Sequence, residues 1–90
     1  QIVTIPNEIN NLKNLKELNL SHNNIKIINI EIFNLLKLEI LYISSNEIVE
    51  IPSEINNLQN LKILDLTFNK IKTISISITK LLNLKKLYLQ

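Results

Sequence analysis

The sequence lacks six residue types: cysteine, glycine, alanine, methionine, tryptophan and arginine do not occur in its 90 residues. Without cysteine the chain can form no disulfide, thiol nucleophile or thiolate metal site, and this lack fits a reducing compartment. Without glycine, turns that need a positive φ must use another residue. Asparagine is abundant here and is the next-best residue for that conformation, so we expect it at the left-handed turn positions.

Charge is nearly balanced, and long apolar runs are missing as well. Ten lysines stand against eight carboxylates, a net charge of +2, whereas a nucleic-acid interface needs basic residues gathered on one face. No apolar run approaches the roughly 18 residues of a membrane span, and no signal or transit peptide is visible. We therefore expect no nucleic-acid partner, no membrane insertion and a cytoplasmic location.

The chain repeats itself every 23 residues. The pattern L-x-x-L-x-L-x-x-N-x-I occupies residues 15–25, 38–48 and 61–71, and an incomplete copy runs from 84 to 90. Each aliphatic column of this alignment stays aliphatic in every copy, which chance cannot plausibly produce. Such self-similarity predicts stacked units, because one unit cannot bury its apolar side chains alone.

Each copy contains one short segment typical of a β-strand. In residues 17–20 apolar and polar side chains alternate, as in a strand buried on one face, and similar segments occur near 40–43, 63–66 and 86–89. Equivalent strands one coil apart must lie side by side and run in the same direction. The sequence therefore predicts a four-stranded parallel sheet, with the return segments on the opposite side.

One asparagine follows each of the first three strands, at Asn23, Asn46 and Asn69. The backbone must turn there, which leaves amide and carbonyl groups outside the sheet. A buried asparagine side chain can satisfy such groups within its own coil and across to the next. We therefore predict that these residues form a hydrogen-bonded ladder.

This arrangement resembles the leucine-rich repeat family over essentially the whole chain. The 23-residue length, with Ile-Pro-x-Glu-Ile at 5–9 and 51–55, looks like the subclass found in Ras-pathway scaffold proteins of the Shoc2 type. The resemblance implies an α/β solenoid in a horseshoe arc, with the parallel sheet on the concave face and 3₁₀, irregular or short helical segments on the convex face. It also implies a protein-binding module, since members of this family generally bind proteins.

We expect residues 1–90 to form a single domain of about four repeats and to be a piece of a longer array. The repeats are a partial one at 1–11, complete ones at 12–34, 35–57 and 58–80, and a partial one at 81–90. No capping repeat is visible, so we expect an open apolar end formed by Leu81, Leu84, Leu87 and Leu89. Such an end predicts self-association between copies of the chain.

Catalysis is not expected, although Ser21, His22 and Asp65 supply the residue types of a triad. Ser21 and His22 are neighbours on an extended segment, so their side chains diverge. Asp65 is two strands away, at roughly 9–10 Å, whereas a catalytic base must lie within ~2.6–3.2 Å of its partner. The carboxylates form no cluster with the single histidine, so we expect neither a metal nor a cofactor.

The remaining candidate for function is the concave face. Its outward positions and the turn after each strand hold aromatic and aliphatic side chains, of which tyrosine is a frequent interface anchor. We predict a protein partner there, bound by Glu17, Asn19, Ser21, His22, Ile40, Tyr42, Ser44, Ile63, Asp65, Thr67, Phe68, Lys86 and Tyr88.

Two other readings stay open. Ile40 beside Ile63 would stabilise the sheet whether or not anything binds, and the whole array could be a structural spacer in a larger protein. Carbohydrate or extracellular ligand binding is less favoured, because a glycan on the Asn19-Leu20-Ser21 sequon would obstruct the concave face.

A second surface is possible on the return side. Ile30 and Ile76 stand where the other two copies have Asn7 and Ser53, so alternate coils gain apolar surface there. This substitution is explained either by compositional drift towards isoleucine or by a second contact surface.

Overall fold

The computed structural model describes residues 5–74 and 76–89, and each copy of the repeat forms one coil of a solenoid. The described residues alternate four 3₁₀ helices with four strands: η1 (Asn7–Asn11), β1 (Glu17–Asn19), η2 (Ile30–Asn34), β2 (Ile40–Tyr42), η3 (Ser53–Asn57), β3 (Ile63–Asp65), η4 (Ile76–Lys80) and β4 (Lys86–Tyr88). This confirms the predicted fold. Residues 1–4 and Gln90, in the partial repeats, lie outside the described part of the chain.

The four strands form one parallel sheet in the order β1-β2-β3-β4. Leu18 pairs with Leu41, Leu41 with Leu64, and Leu64 with Leu87. The register between neighbouring strands therefore equals the length of the repeat. As a result, each column of the repeat becomes a row of side chains that runs across the sheet.

The core lies between the sheet and the 3₁₀ helices, and it is built almost entirely from the repeated leucine and isoleucine columns. Phe33 is an exception: it is buried in η2 at the position where other coils have Asn10, Asn56 and Thr79. The predicted open end needs one correction. Leu81 belongs to the core and is buried, since it packs with the preceding coil, whereas Leu87 and Leu89 are exposed.

The turn after each strand differs from the expectation for asparagine. Positive φ values fall on His22 (62°), Ser45 (56°) and Phe68 (58°), each one residue before a ladder asparagine. The ladder asparagines themselves are not the left-handed residues. The physical reason is that the asparagine side chain is needed inside the coil, so the preceding residue makes the turn.

Asn46 shows what the inward asparagine does. Its Nδ2 donates to the carbonyl oxygens of Ile43 (3.2 Å) and Ser44 (3.2 Å) in its own coil and of Leu20 (3.0 Å) in the preceding coil. Its Oδ1 accepts from the amide of Ile25 at 3.0 Å. These bonds join consecutive coils, and Asn46 is only 6% exposed.

Asn69 repeats this pattern one coil further on. Its Nδ2 donates to the carbonyl of Ile43 (2.9 Å), and its Oδ1 accepts from the amide of Ile48 (3.0 Å). The predicted ladder is therefore present, and it reaches back to the preceding coil. Within the described part of the chain, no buried side-chain nitrogen or oxygen lacks a hydrogen-bond partner.

The first three 3₁₀ helices begin after residues with extended backbone. Pro6 and Pro52 precede η1 and η3 with φ −65°, the value that the proline ring imposes. Asn29 takes the same place before η2, and its side chain accepts from the amide of Glu31. A proline has no amide to satisfy, so it suits a return segment outside the sheet ladder.

Candidate partner-binding face

The predicted site residues lie together on one face of the sheet and at the turns beside it. The strand register arranges eleven of them in three rows across the sheet, and the rows are numbered by the position of their first residue. The first row is Glu17, Ile40, Ile63 and Lys86; the second is Asn19, Tyr42, Asp65 and Tyr88; the third is Ser21, Ser44 and Thr67. His22 and Phe68 occupy the left-handed turn positions that border the third row.

The first row combines an apolar centre with opposite charges at its two ends. Ile40 and Ile63 are paired across β2 and β3, and both are half-buried. Glu17 and Lys86 are exposed. Within the described residues, neither charged side chain forms an ion pair or a hydrogen bond.

Two polar members of the second row support the backbone locally. The Oδ1 of Asn19 accepts from the amide of Ser21 at 3.0 Å. The Oδ1 of Asp65 accepts from the amide (3.1 Å) and the hydroxyl (2.9 Å) of Thr67. Such Asx-type bonds fix the chain at the end of a strand. Asn19 and Asp65 therefore have a structural role that does not depend on a partner.

The tyrosines of the second row have no such role. Tyr42 is half-buried, and Tyr88 is exposed over 44% of its surface. Neither side chain forms a hydrogen bond to another residue in the described part of the chain. Their rings and hydroxyls are therefore available for a contact outside the protein.

The third row connects the first two coils through its hydroxyl groups. The Oγ of Ser21 accepts from the amide of Ser44 at 3.1 Å, and the two hydroxyls lie 3.0 Å apart. Sequence reasoning assigned these residues only to partner binding. For Asn19 and Asp65 of the second row, the signal that could have identified the local role is an asparagine or aspartate two residues before a serine or threonine, as in Asn19–Ser21 and Asp65–Thr67.

Phe68 is the least ordinary residue of this face. It is 68% exposed, and its φ of 58° is unfavourable for a bulky side chain. A Cβ-bearing residue in this region costs about 1–2 kcal/mol. His22 and Ser45 share this conformation. Histidine occurs at positive φ more often than most residues, and serine has a smaller side chain than phenylalanine.

The structure separates the residues of the possible triad. The hydroxyl of Ser21 is hydrogen-bonded to that of Ser44, and the carboxylate of Asp65 is hydrogen-bonded to Thr67. Among the described residues, no group of three or more histidine, aspartate or glutamate side chains could hold a metal ion. No helix in the same part of the chain has the length and hydropathy needed to cross a membrane.

The return side carries an apolar groove of about 440 Å³ next to η2 and η3. Ile30 lines it and is half exposed, together with Val49, Pro52 and Ile27, of which Ile27 is 75% exposed. Sequence reasoning found Ile30 but missed Ile27, because the equivalent positions of the repeat are polar. The side chain of Ile76, the other predicted member of this surface, lies outside the described part of the structure.

Comparison with protein families gives a consistent result over the whole chain. The family model described as "Leucine rich repeat" matches residues 2–48 and 36–90. No individual curated protein matches the chain significantly.

Several solved structures are similar to the chain. A leucine-rich repeat protein of Leptospira interrogans is 39% identical, with a TM-score of 0.97 over 100% of this chain and 23% of that one. The plant peptide hormone receptor RGFR1, in complex with RGF2, is 37% identical, with a TM-score of 0.78 over 93% of this chain and 14% of that one.

A third similar structure is the ectodomain of the receptor kinase GASSHO1/SCHENGEN3 from Arabidopsis thaliana, in complex with CASPARIAN STRIP INTEGRITY FACTOR 2. It is 32% identical, with a TM-score of 0.78 over 92% of this chain and 10% of that one. The chain thus spans less than a quarter of the length of each of these three structures. None of these matches supports the narrower resemblance to Ras-pathway scaffold proteins.

Proposed function

This chain belongs to the leucine-rich repeat family, and on that premise we propose that it is a non-enzymatic module whose concave face binds a protein or peptide partner. Proteins of this family are generally binding modules without enzymatic activity. Two of the similar solved structures are receptors in complex with RGF2 and with CASPARIAN STRIP INTEGRITY FACTOR 2. The partner of the present chain would be of the same general kind, a polypeptide.

The observation that carries this proposal is the set of outward-facing apolar side chains without an internal role. Tyr88 and Phe68 are exposed, and Tyr42 is half-buried. The tyrosines lie in the row next to the half-buried pair of Ile40 and Ile63, and Phe68 borders the third row. Aromatic side chains offer a large contact area at a low entropic cost, and they dominate the energetics of many interfaces. Phe68 also occupies a strained backbone position, a feature that often accompanies function.

The size of the face favours a peptide over a large flat partner. Four strands at ~4.8 Å spacing extend about 14 Å from the first to the last. Such a face offers a few hundred Å², whereas a standard protein interface buries about 800 Å² per partner. A short extended segment makes full use of a face of this width.

A selection from a random peptide library tests the proposal. Peptides enriched on the 90-residue protein should lose binding when Tyr42→Ser and Tyr88→Ser are combined, because both anchors are removed while the core is untouched. The matched control is Ile27→Ser, which removes an exposed apolar side chain from the return-side groove. Urea denaturation of each variant shows that folding is retained.

The alternative function, a structural spacer, has its own supporting observation. Asn19, Asp65 and Ser21 stabilise strand ends or coil contacts whether or not a partner is present. If no peptide is enriched, the spacer is favoured. If enriched peptides lose binding only with Ile27→Ser, the functional surface is the return-side groove and the concave face is not the site.

A further inference from the structure

We propose that the concave face recognises an extended peptide with a basic and an acidic side chain four residues apart and an aliphatic side chain midway between them. This inference rests on the proposed function, because it names the chemistry of the partner for the same face. The peptide would cross the four strands along the first row, from Glu17 on β1 to Lys86 on β4.

The charge order of the first row is the first argument. Its two exposed ends are opposite in sign, Glu17 at one edge of the sheet and Lys86 at the other, and the half-buried Ile40 and Ile63 lie between them. Neither charge is neutralised by an ion pair within the described residues. A partner with complementary charges therefore gains two ion pairs, while a partner with two like charges gains one and meets one repulsion.

The neighbouring charges affect the two ends of the first row differently. In the column just before the first row, Lys62 forms an ion pair with Glu39 at 3.4 Å. Lys85 adds positive charge at the β4 end, whereas Lys16 stands next to Glu17 in the chain and weakens the acidic end. We therefore expect the basic end to contribute more to binding than the acidic end.

The other two rows contain a single charged side chain, that of Asp65, which keeps its charge. In the second row, the carboxylate of Asp65 is occupied by the amide and hydroxyl of Thr67. In the third row, the hydroxyls of Ser21 and Ser44 are bonded to each other. The second row still offers its tyrosines, which supply contact area without a preference for charge.

The spacing of strands and peptide residues is the second argument. Three intervals of ~4.8 Å place the ends of the first row about 14 Å apart. An extended peptide rises ~3.4 Å per residue and presents residues i, i+2 and i+4 on one side, so its i and i+4 side chains are also about 14 Å apart. The central residue, i+2, then lies over Ile40 and Ile63, which explains the aliphatic requirement.

Nuclear magnetic resonance titration of the whole 90-residue chain tests the peptide chemistry. Four peptides share a Ser-rich frame and a central leucine, and they carry Lys and Glu, Lys and Lys, Glu and Glu, or Ser and Ser at positions i and i+4. The mixed peptide should bind about two- to thirtyfold more tightly than each of the others, because it gains two exposed ion pairs over the Ser peptide, and gains one ion pair and avoids one repulsion relative to each like-charged peptide. Its advantage should vanish at about 1 M salt, where the screening length is about 3 Å.

Charge reversals in the protein provide the matched test. Glu17→Lys should shift the preference to the peptide with two glutamates, and Lys86→Glu should shift it to the peptide with two lysines. Both side chains are exposed, so folding should be unaffected. Glu54→Lys, an exposed change on η3, is the control and should leave the order of affinities unchanged.

The outcomes separate this inference from the proposed function. Equal affinity for all four peptides, or an order that does not respond to either reversal, overturns the charge rule. If none of the four binds while library-selected peptides do, the charge rule is wrong and the concave binding face stands. If neither kind of peptide binds, both ideas are wrong.

Discussion

Asn46 is the most deeply buried polar side chain in the described part of the chain. It satisfies three carbonyl groups and one amide in two consecutive coils, and it is buried. A hydrophobic residue of similar size could fill the volume but could not replace the hydrogen bonds. Unsatisfied buried groups are more costly than the bonds themselves are favourable.

We predict that Asn46→Leu lowers the free energy of unfolding by roughly 1–3 kcal/mol, because the buried amide of Ile25 loses its acceptor. The carbonyls of Leu20, Ile43 and Ser44 each keep another donor. Urea denaturation followed by circular dichroism measures the effect. Asn34→Leu is the control, since Asn34 is exposed at the end of η2, and surface substitutions usually change stability by less than about 0.5 kcal/mol. An unchanged urea midpoint for Asn46→Leu would contradict the ladder.

Phe68 presents the opposite case, a residue that fits its backbone position poorly. We predict that Phe68→Asn raises the free energy of unfolding by up to about 1 kcal/mol, because asparagine tolerates positive φ and the exposed ring contributes little burial. Phe68→Ala separates the two causes: it removes the ring but retains the strain, so it should give no gain. Equal stability of the Asn and Ala variants would show that the backbone conformation is not limiting.

At the scale of the strands, the polar residues of the concave face connect neighbouring elements. The amide of Ser44 is bonded to the hydroxyl of Ser21, whereas the amide of Ser45 is bonded to the carbonyl of Thr67 at 2.9 Å. The adjacent amides of Ser44 and Ser45 thus have their acceptors in different coils, one before and one after their own. This difference allows the contact between the first two coils to be tested separately.

Ser21→Ala should accelerate hydrogen exchange at the Ser44 amide by about 2- to 13-fold, corresponding to the ~0.5–1.5 kcal/mol of a typical hydrogen bond. The Ser45 amide provides the internal control, because its acceptor is untouched. Native-state exchange read by nuclear magnetic resonance gives both values in one sample. If both amides accelerate equally, the substitution has loosened the whole strand and the specific contact is not responsible.

At the scale of the molecule, the two inner coils are better covered than the last one. Leu64 and Leu66 are fully buried, whereas their counterparts Leu87 and Leu89 are 37% and 38% exposed. Apolar side chains beside an unpaired strand favour association. The 90-residue protein therefore offers a surface on which a second copy can pack.

We predict that the mass of the 90-residue protein rises with concentration in light scattering. Leu89→Lys should reduce this association, because it places a charge on the exposed apolar end. Leu82→Lys is the control: Leu82 is 84% exposed but lies in the turn before β4. A single monomeric mass at every concentration would contradict the prediction of self-association.

Most of the fold follows from the period of the sequence. In a stack of parallel strands the register equals the repeat length, so a column such as Leu18, Leu41 and Leu64 must form a row across the sheet. The same logic identifies the core and the asparagine ladder. It also places the outward-facing site residues together, since alternation along a strand decides the face on which a side chain lies.

The tertiary structure decided the turn conformations and the side-chain hydrogen bonds, which the period of the sequence does not specify. The left-handed turn falls on His22, Ser45 and Phe68. The ladder asparagine that follows each of them must point into the coil, and this fixes the backbone of the residue before it. Hydrogen bonds between coils and within strand ends engage Ser21 and Asp65, and they leave the charges of the first row free. The sequence alone determined which residues share a row. Only the folded coils decided which of them remain available to a partner, because that depends on distances and dihedral angles.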